Sequence, residues 1–144
     1  MSKLTNIIAT QNNLSALVLR VPVGIIFAAH GSQKLFGWFG GYGLEGTGKF
    51  MASLGLEPGV LMAALSGSAE FFGGLCLILG LLTRPASLVL AVTMVVAILS
   101  VHIHNGLFMA NNGYEFALAL LAAVVSLLFS GGGRASVDSV IANK

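Results

Sequence analysis

The sequence predicts an all-α membrane protein: a four-transmembrane-helix bundle with one long glycine- and aromatic-rich extracytoplasmic loop between helices one and two. Three observations lead there. Of the 144 residues, 56% are hydrophobic and only 8% charged, with a mean hydropathy of +0.94. A soluble domain carries about 25% charged residues, so a chain this poor in charge needs lipid as solvent for much of its surface. The apolar residues also gather into four runs parted by turn-forming stretches. Finally, nineteen glycines against three prolines suit membrane helices that pack closely.

The same composition excludes other classes. A net charge of +2 with no basic run gives no electrostatic footprint for nucleic acid. The one cysteine, Cys76, lies inside an apolar run and has no CxxC partner, so it reads as a packing residue rather than a redox thiol. The length suits a single domain over residues 1–144, with spans at about 14–35, 60–82, 86–103 and 114–129.

The first run, from Leu14 to about Leu35, is long enough to cross roughly 30 Å of hydrocarbon. It carries Arg20 and extends beyond the apolar core of a secretory signal, so it reads as a span and not a leader. Arg20, Gly24, Phe27, Gly31 and Lys34 follow helical spacing, with His30 beside that line. The polar and small groups therefore share a face that should turn inward.

Residues 36–58 form the long connection, expected as a surface loop. Trp38, Phe39 and Tyr42 suit an interfacial aromatic belt, and Phe50, Met51 and Leu54 would form one face of a short helix. The segment Gly41-Tyr42-Gly43-Leu44-Glu45-Gly46 matches GxGxxG, and Gly43 to Lys49 matches most of a P-loop, with Phe50 where Ser or Thr should bind magnesium. Both motifs need a strand before and a helix after. Here a membrane span precedes them, and both are rejected.

In the second run, Ser66, Gly67, Glu70, Gly73, Gly74 and Leu77 recur at i, i+3, i+4. The small residues let a neighbouring backbone approach Glu70. Thr83-Arg84-Pro85 reads as a tight turn, Ala86 to about Val101 as the third run, and Asn105 to Gly113 as a polar turn. Tyr114 to Phe129 is the fourth run, ended by Gly131-Gly132-Gly133, with a short tail beyond. Lys3, Arg84, Arg134 and Lys144 fall on one side of such a bundle, and Lys34 and Lys49 on the other. The positive-inside rule then places both termini in the cytoplasm.

This topology gathers His30, Lys34, His102, His104 and Glu115 at one end of the bundle. Counted along its helix, Glu70 lies about 15 Å below the outer boundary and Arg20 about 9 Å above the inner one, a difference in depth of some 6 Å. Intramembrane charges pair with one another, so a structural Arg20–Glu70 ion pair is the first expectation. The sharper reading puts Glu70 on a cavity, handling ligand or protons. His102 and His104 are two residues apart, so on a regular helix they point about 200° apart, one inward and one toward the headgroups. A metal site would use imidazoles with Glu115 or Glu70, yet no ExxH spacing supports it. Haem held by His30 with His102 or His104 ranks lower still. A quinone is the better redox ligand: its carbonyl needs a donor such as histidine and its tail a groove between helices.

Several segments also resemble the DoxX-type membrane proteins. They are His30-Gly31-Ser32-Gln33-Lys34-Leu35-Phe36-Gly37-Trp38-Phe39-Gly40-Gly41, then Glu70-Phe71-Phe72-Gly73-Gly74 and Gly80-Leu81-Leu82-Thr83-Arg84. His102 and Glu115 at their helix ends and the tail Gly132-Gly133-Arg134-Ala135-Ser136-Val137-Asp138 complete the likeness. It runs from Leu14 to Asp138. The resemblance implies a four-helix protein of the bacterial inner membrane, of a kind commonly labelled oxidoreductase. The family's polar residues carry over to Arg20, His30, Lys34, Glu70, Arg84, His102 and Glu115, with no catalytic role attached to any of them.

The expected function is thus a redox-associated inner-membrane subunit with a small-ligand pocket, quinone foremost. The pocket candidates are His30, Lys34, Glu70, His102 and Glu115. The alternatives are a small-solute or proton-coupled transporter and a non-catalytic accessory subunit. Expected partners are the lipid bilayer, redox proteins and a second copy of the chain.

Overall fold

The computed structural model describes residues 6–142, and among them no strand forms. Three helices are long and apolar enough to cross a membrane: α1 (Leu14–Phe36), α3 (Gly59–Leu79), and the stretch Thr83–Asn105, which begins as α4 (Thr83–Ala97). A shorter apolar helix, α5 (Glu115–Ser130), joins them. Two smaller helices also lie among the described residues, α2 (Gly43–Ser53) in the long connection and α6 (Val137–Ala142) in the tail.

α1 starts where the side chain of Asn13 accepts from the Ala16 amide at 3.0 Å, satisfying one of the donors a helix start leaves free. It ends at Gly37, whose φ of 72° is left-handed. Its buried face includes Arg20, Gly24, Phe27 and Gly31, and α3 buries Gly67, Glu70, Gly74 and Leu77. The two helices run against each other on glycine. A Cβ at Gly31 would fall 2.3 Å from the Phe71 nitrogen, and one at Gly74 would fall 2.4 Å from the Ala28 nitrogen. Backbones this close leave room for nothing larger. Phe27, Leu77, Leu90, Val124 and Leu127 fill the space among α1, α3, α4 and α5.

The structure redraws three expected features. Thr83-Arg84-Pro85 is the first turn of α4, not a turn between helices. Proline fits a first helical turn because its missing N–H has no partner there anyway, and the reversal is made one step earlier, by Gly80 (φ 66°) and Leu82 (φ 48°). The long connection is not a plain loop. Trp38–Gly40 makes one 3₁₀ turn, and α2 packs against α3 where Gly48 meets Val60 and Gly59. The tail, finally, folds back. Gly133 donates to the Thr10 hydroxyl, Arg134 to the Asn13 carbonyl, and Asp138 to the Gly80 carbonyl through its amide. Of the basic residues expected on this side, Lys3 and Lys144 lie outside the described residues.

Candidate functional site

The two ends of the bundle use their charged residues differently. At the end holding the tail, Arg20 is 1% exposed, and every hydrogen bond it makes goes to main chain. Nε donates to the Gly132 carbonyl at 2.8 Å, one terminal nitrogen to Leu77 and Ile78, and the other to Arg134 and Ala135. Asp138, also 1% exposed, accepts from the Leu82 and Thr83 amides at 2.8 Å each and so caps the start of α4. Arg84 donates to the carbonyls of Ala9 and Phe129.

The expected Arg20–Glu70 pair does not form. α1 and α3 are antiparallel, and the Gly24–Gly74 and Gly31–Gly67 contacts set Arg20 level with Ile78. Glu70 lies eight residues further along, about 12 Å at 1.5 Å per residue. Counting each helix from its own apolar boundary missed this offset. Glu70 instead accepts from Lys34, one helical turn past the nearest glycine contact. The carboxylate side chain is 4% exposed and the lysine 25%.

That ion pair forms part of the wall of a cavity of about 260 Å³. His30, Lys34, Glu70, His102 and Asn112 supply its polar lining, and Phe27, Met94, Phe116 and Leu120 much of its apolar lining. Four of the five pocket candidates therefore meet on one cavity. The fifth, Glu115, does not line it. Its carboxylate turns back onto the Met109 amide at 2.6 Å, closing the polar turn.

The histidines separate as expected, at an end of α4 that changes pitch. Ile98–His102 is a π turn and Ile103–Asn105 a 3₁₀ turn. His102 faces the cavity, while His104 is exposed and outside its lining. His102 Nδ1 lies 2.9 Å from the Asn112 carbonyl. A carbonyl only accepts, so Nδ1 carries the hydrogen, and in the neutral ring Nε2 is left as an acceptor. His30 packs its ring against Phe116, centroids 6.1 Å apart, and both are exposed on the outer surface as well as lining the cavity.

Sequence reasoning missed Met94, Asn112 and Phe116 as lining residues, and Asp138 as a cap. Met94 and Phe116 look like any core residue of an apolar run. Asn112 was legible only as a turn former. Asp138 is the one acidic residue past the triple glycine, which is a signal for a partner but not for which one. Among the described residues, no group of three His, Cys, Asp or Glu side chains is disposed to hold a metal.

Apolar helices long enough to cross a bilayer, with a cavity at one end, define an all-helical membrane protein. The chain belongs to the DoxX family, whose profile matches residues 15–103. It is 34% identical to a Bacillus subtilis protein named "Putative oxidoreductase CatD", over 79% of this chain and 78% of the relative. It is 32% identical to a Mycobacterium tuberculosis protein named "Uncharacterized membrane protein Rv3486", over 86% and 79%. To the Escherichia coli "Inner membrane protein YphA" it is 29% identical over 85% and 86%. No solved structure matches the chain.

Proposed function

We propose that this protein is a multi-pass inner-membrane subunit of redox metabolism whose cavity holds the ring of a quinone-class ligand. The observation that carries the reading is the convergence of Lys34, Glu70, His30 and His102 on one otherwise apolar cavity. A quinone ring alternates between carbonyl and hydroxyl. It needs donors in one state and acceptors in the other. Lys34 donates, and Glu70 and the free Nε2 of His102 accept. The relative named as an oxidoreductase agrees with this class of ligand.

Size supports the same reading. At about 260 Å³ the cavity falls below the 300–1,000 Å³ of drug-sized pockets, enough for a substituted ring but not for an isoprenoid tail. The tail has a way out. α1 touches α5 far less than it touches α3, and His30 and Phe116 stand exposed on that side. A tail leaving there would lie among lipid chains. In this reading α5 crosses the membrane as the fourth span of a single domain, its 16 residues extended by the turn before it. Both termini are cytoplasmic, and the cavity lies near the outer face.

The test is mass spectrometry of what extracts with the purified protein. Wild type should carry a quinone-class lipid, and His30→Ala and Glu70→Gln should carry at least tenfold less while remaining folded. A quinone-free extract from wild type, with no binding of added short-tail quinone, overturns the proposal. Solute or proton flux in proteoliposomes that is lost in Glu70→Gln would replace it with a transporter.

A further inference from the structure

A second cavity, of about 500 Å³, lies outside the bundle between the end of α1, the Gly40–Gly41 turn and α2. Among the described residues, Lys34 is the one that borders both cavities and the only Lys, Arg, Asp or Glu bordering the outer one. Around it stand Gln33, Thr47, Tyr42 and Phe50. Gln33 spends an amide hydrogen on the Phe39 carbonyl at 3.2 Å, which leaves its amide oxygen and second hydrogen free. Tyr42 is 85% exposed and Phe50 46%.

We propose that this outer cavity is a second binding site, for a small organic anion with a ring-sized apolar body, and that the anion competes with Glu70 for Lys34. The charge follows from Lys34. The apolar body follows from Tyr42 and Phe50, whose rings otherwise face open space. The competition follows from the asymmetry of the ion pair: Glu70 is held inside at 4% exposure, while Lys34 is 25% exposed on a long flexible stem. The ammonium can follow an anion outward, but the carboxylate cannot follow the ammonium. A buried carboxylate is costly to leave without its counter-ion, so Glu70 holds Lys34 back and weakens the outer site.

The groups around Glu70 come from α1, α4, α5 and the turns after α4. α1 presents Lys34 and His30, and the turns after α4 present His102. α4 itself contributes Met94 and Ala97, and α5 contributes Phe116, Ala117 and Leu120. Glu115 is engaged with Met109. The site is independent of which ligand fills the inner cavity.

Benzoate is the probe and benzamide its uncharged control, titrated into the full chain in discs of zwitterionic lipid. Trp38, the only tryptophan, sits in the 3₁₀ turn beside the cavity and reports by fluorescence. Benzoate should bind saturably and at least tenfold tighter than benzamide. Glu70→Gln, which releases Lys34 from its partner, should bind more tightly than wild type. Lys34→Met should lose at least tenfold. Should that variant fail to fold, Phe50→Ala, which leaves the ion pair intact, should weaken benzoate several-fold.

Equal binding of benzoate and benzamide, or an unchanged affinity in Phe50→Ala, overturns the site. An affinity in Glu70→Gln no higher than in wild type overturns the competition. If anionic lipid in the disc displaces benzoate, the cavity is a headgroup site and the proposal fails in that form. Loss of quinone from the inner cavity with benzoate binding intact would sink the reading of the inner site and leave this one standing.

Discussion

The tail-side end of the bundle and the opposite end hold similar side chains and put them to different use. Arg20, Asp138 and Arg84 are all engaged with main-chain groups: carbonyls at the end of α3 and in the tail for Arg20, amides at the start of α4 for Asp138, and the carbonyls of Ala9 and Phe129 for Arg84. Those are the groups that helix ends leave without partners. Lys34, Glu70, His30 and His102 stand at an end where the chain changes pitch twice, and they border empty space. An ionisable residue inside a membrane is a functional candidate by default. Arg20 shows what that default leaves out. A buried cation whose partners are all carbonyls is part of the fold, and one whose partner is a side chain on a cavity wall is available for chemistry.

The sharpest way to break the contrast is Arg20→Leu. It orphans the carbonyls of Ile78, Gly132 and Ala135 together and takes one of two donors from that of Leu77, and each buried unsatisfied group costs about 1–3 kcal/mol. The sum rivals the whole stability of a domain, so monodisperse protein should disappear on size exclusion. Arg20→Lys should rescue little, because three ammonium hydrogens cannot span the positions a guanidinium fork reaches. Next comes Asp138→Ala, which removes the cap of α4. Loss of a cap costs about 0.5–2 kcal/mol. The melting temperature should fall by several degrees while ligand binding at the far end stays unchanged. A binding defect in Asp138→Ala would erase the distinction between the two ends.

Much of this architecture was legible from the chain alone. Apolar runs and glycine spacing located α1 and α3 to within a few residues, because lipid length and close packing constrain both. Topology placed His30, Lys34 and His102 at one end of the bundle, but not on one cavity. What was not legible was vertical register. The pairing of Glu70 with Lys34 rather than Arg20 depends on which glycines cross, at Gly24–Gly74 and Gly31–Gly67, and no single helix encodes that. The folding back of the tail was equally hidden. Asp138 and Gly132 act on partners more than fifty residues away, and a glycine triplet reads locally as a simple end.

Two ion pairs refine the comparison, one on each side of the long connection's first turn. Lys34→Met leaves Glu70 buried and unpaired, and should destabilise the protein by about 1–3 kcal/mol, below the 3–5 of a fully buried pair because Lys34 is partly exposed. Lys34→Met with Glu70→Gln should recover most of that loss, which a double-mutant cycle on melting temperatures would read directly. Lys49–Glu45 is the opposite case. It spans one turn of α2 at 2.9 Å, with both side chains about four-fifths exposed. The hydrogen bond and charge of Lys49 hold the Glu45 carboxyl below its ordinary range. A lowered carboxylate pKa gives stability that is present above the unfolded value and lost as pH falls through the folded one. With both side chains exposed that contribution is small, and Glu45→Gln should change the acid side of the stability profile little. Exposed pairs are screened by water and salt, so at neutral pH the variant's melting temperature should coincide with wild type. A clear drop would mean that α2 is held in place by its own surface charges rather than by Gly48 against Val60, and that the outer cavity's wall is weaker than its packing implies.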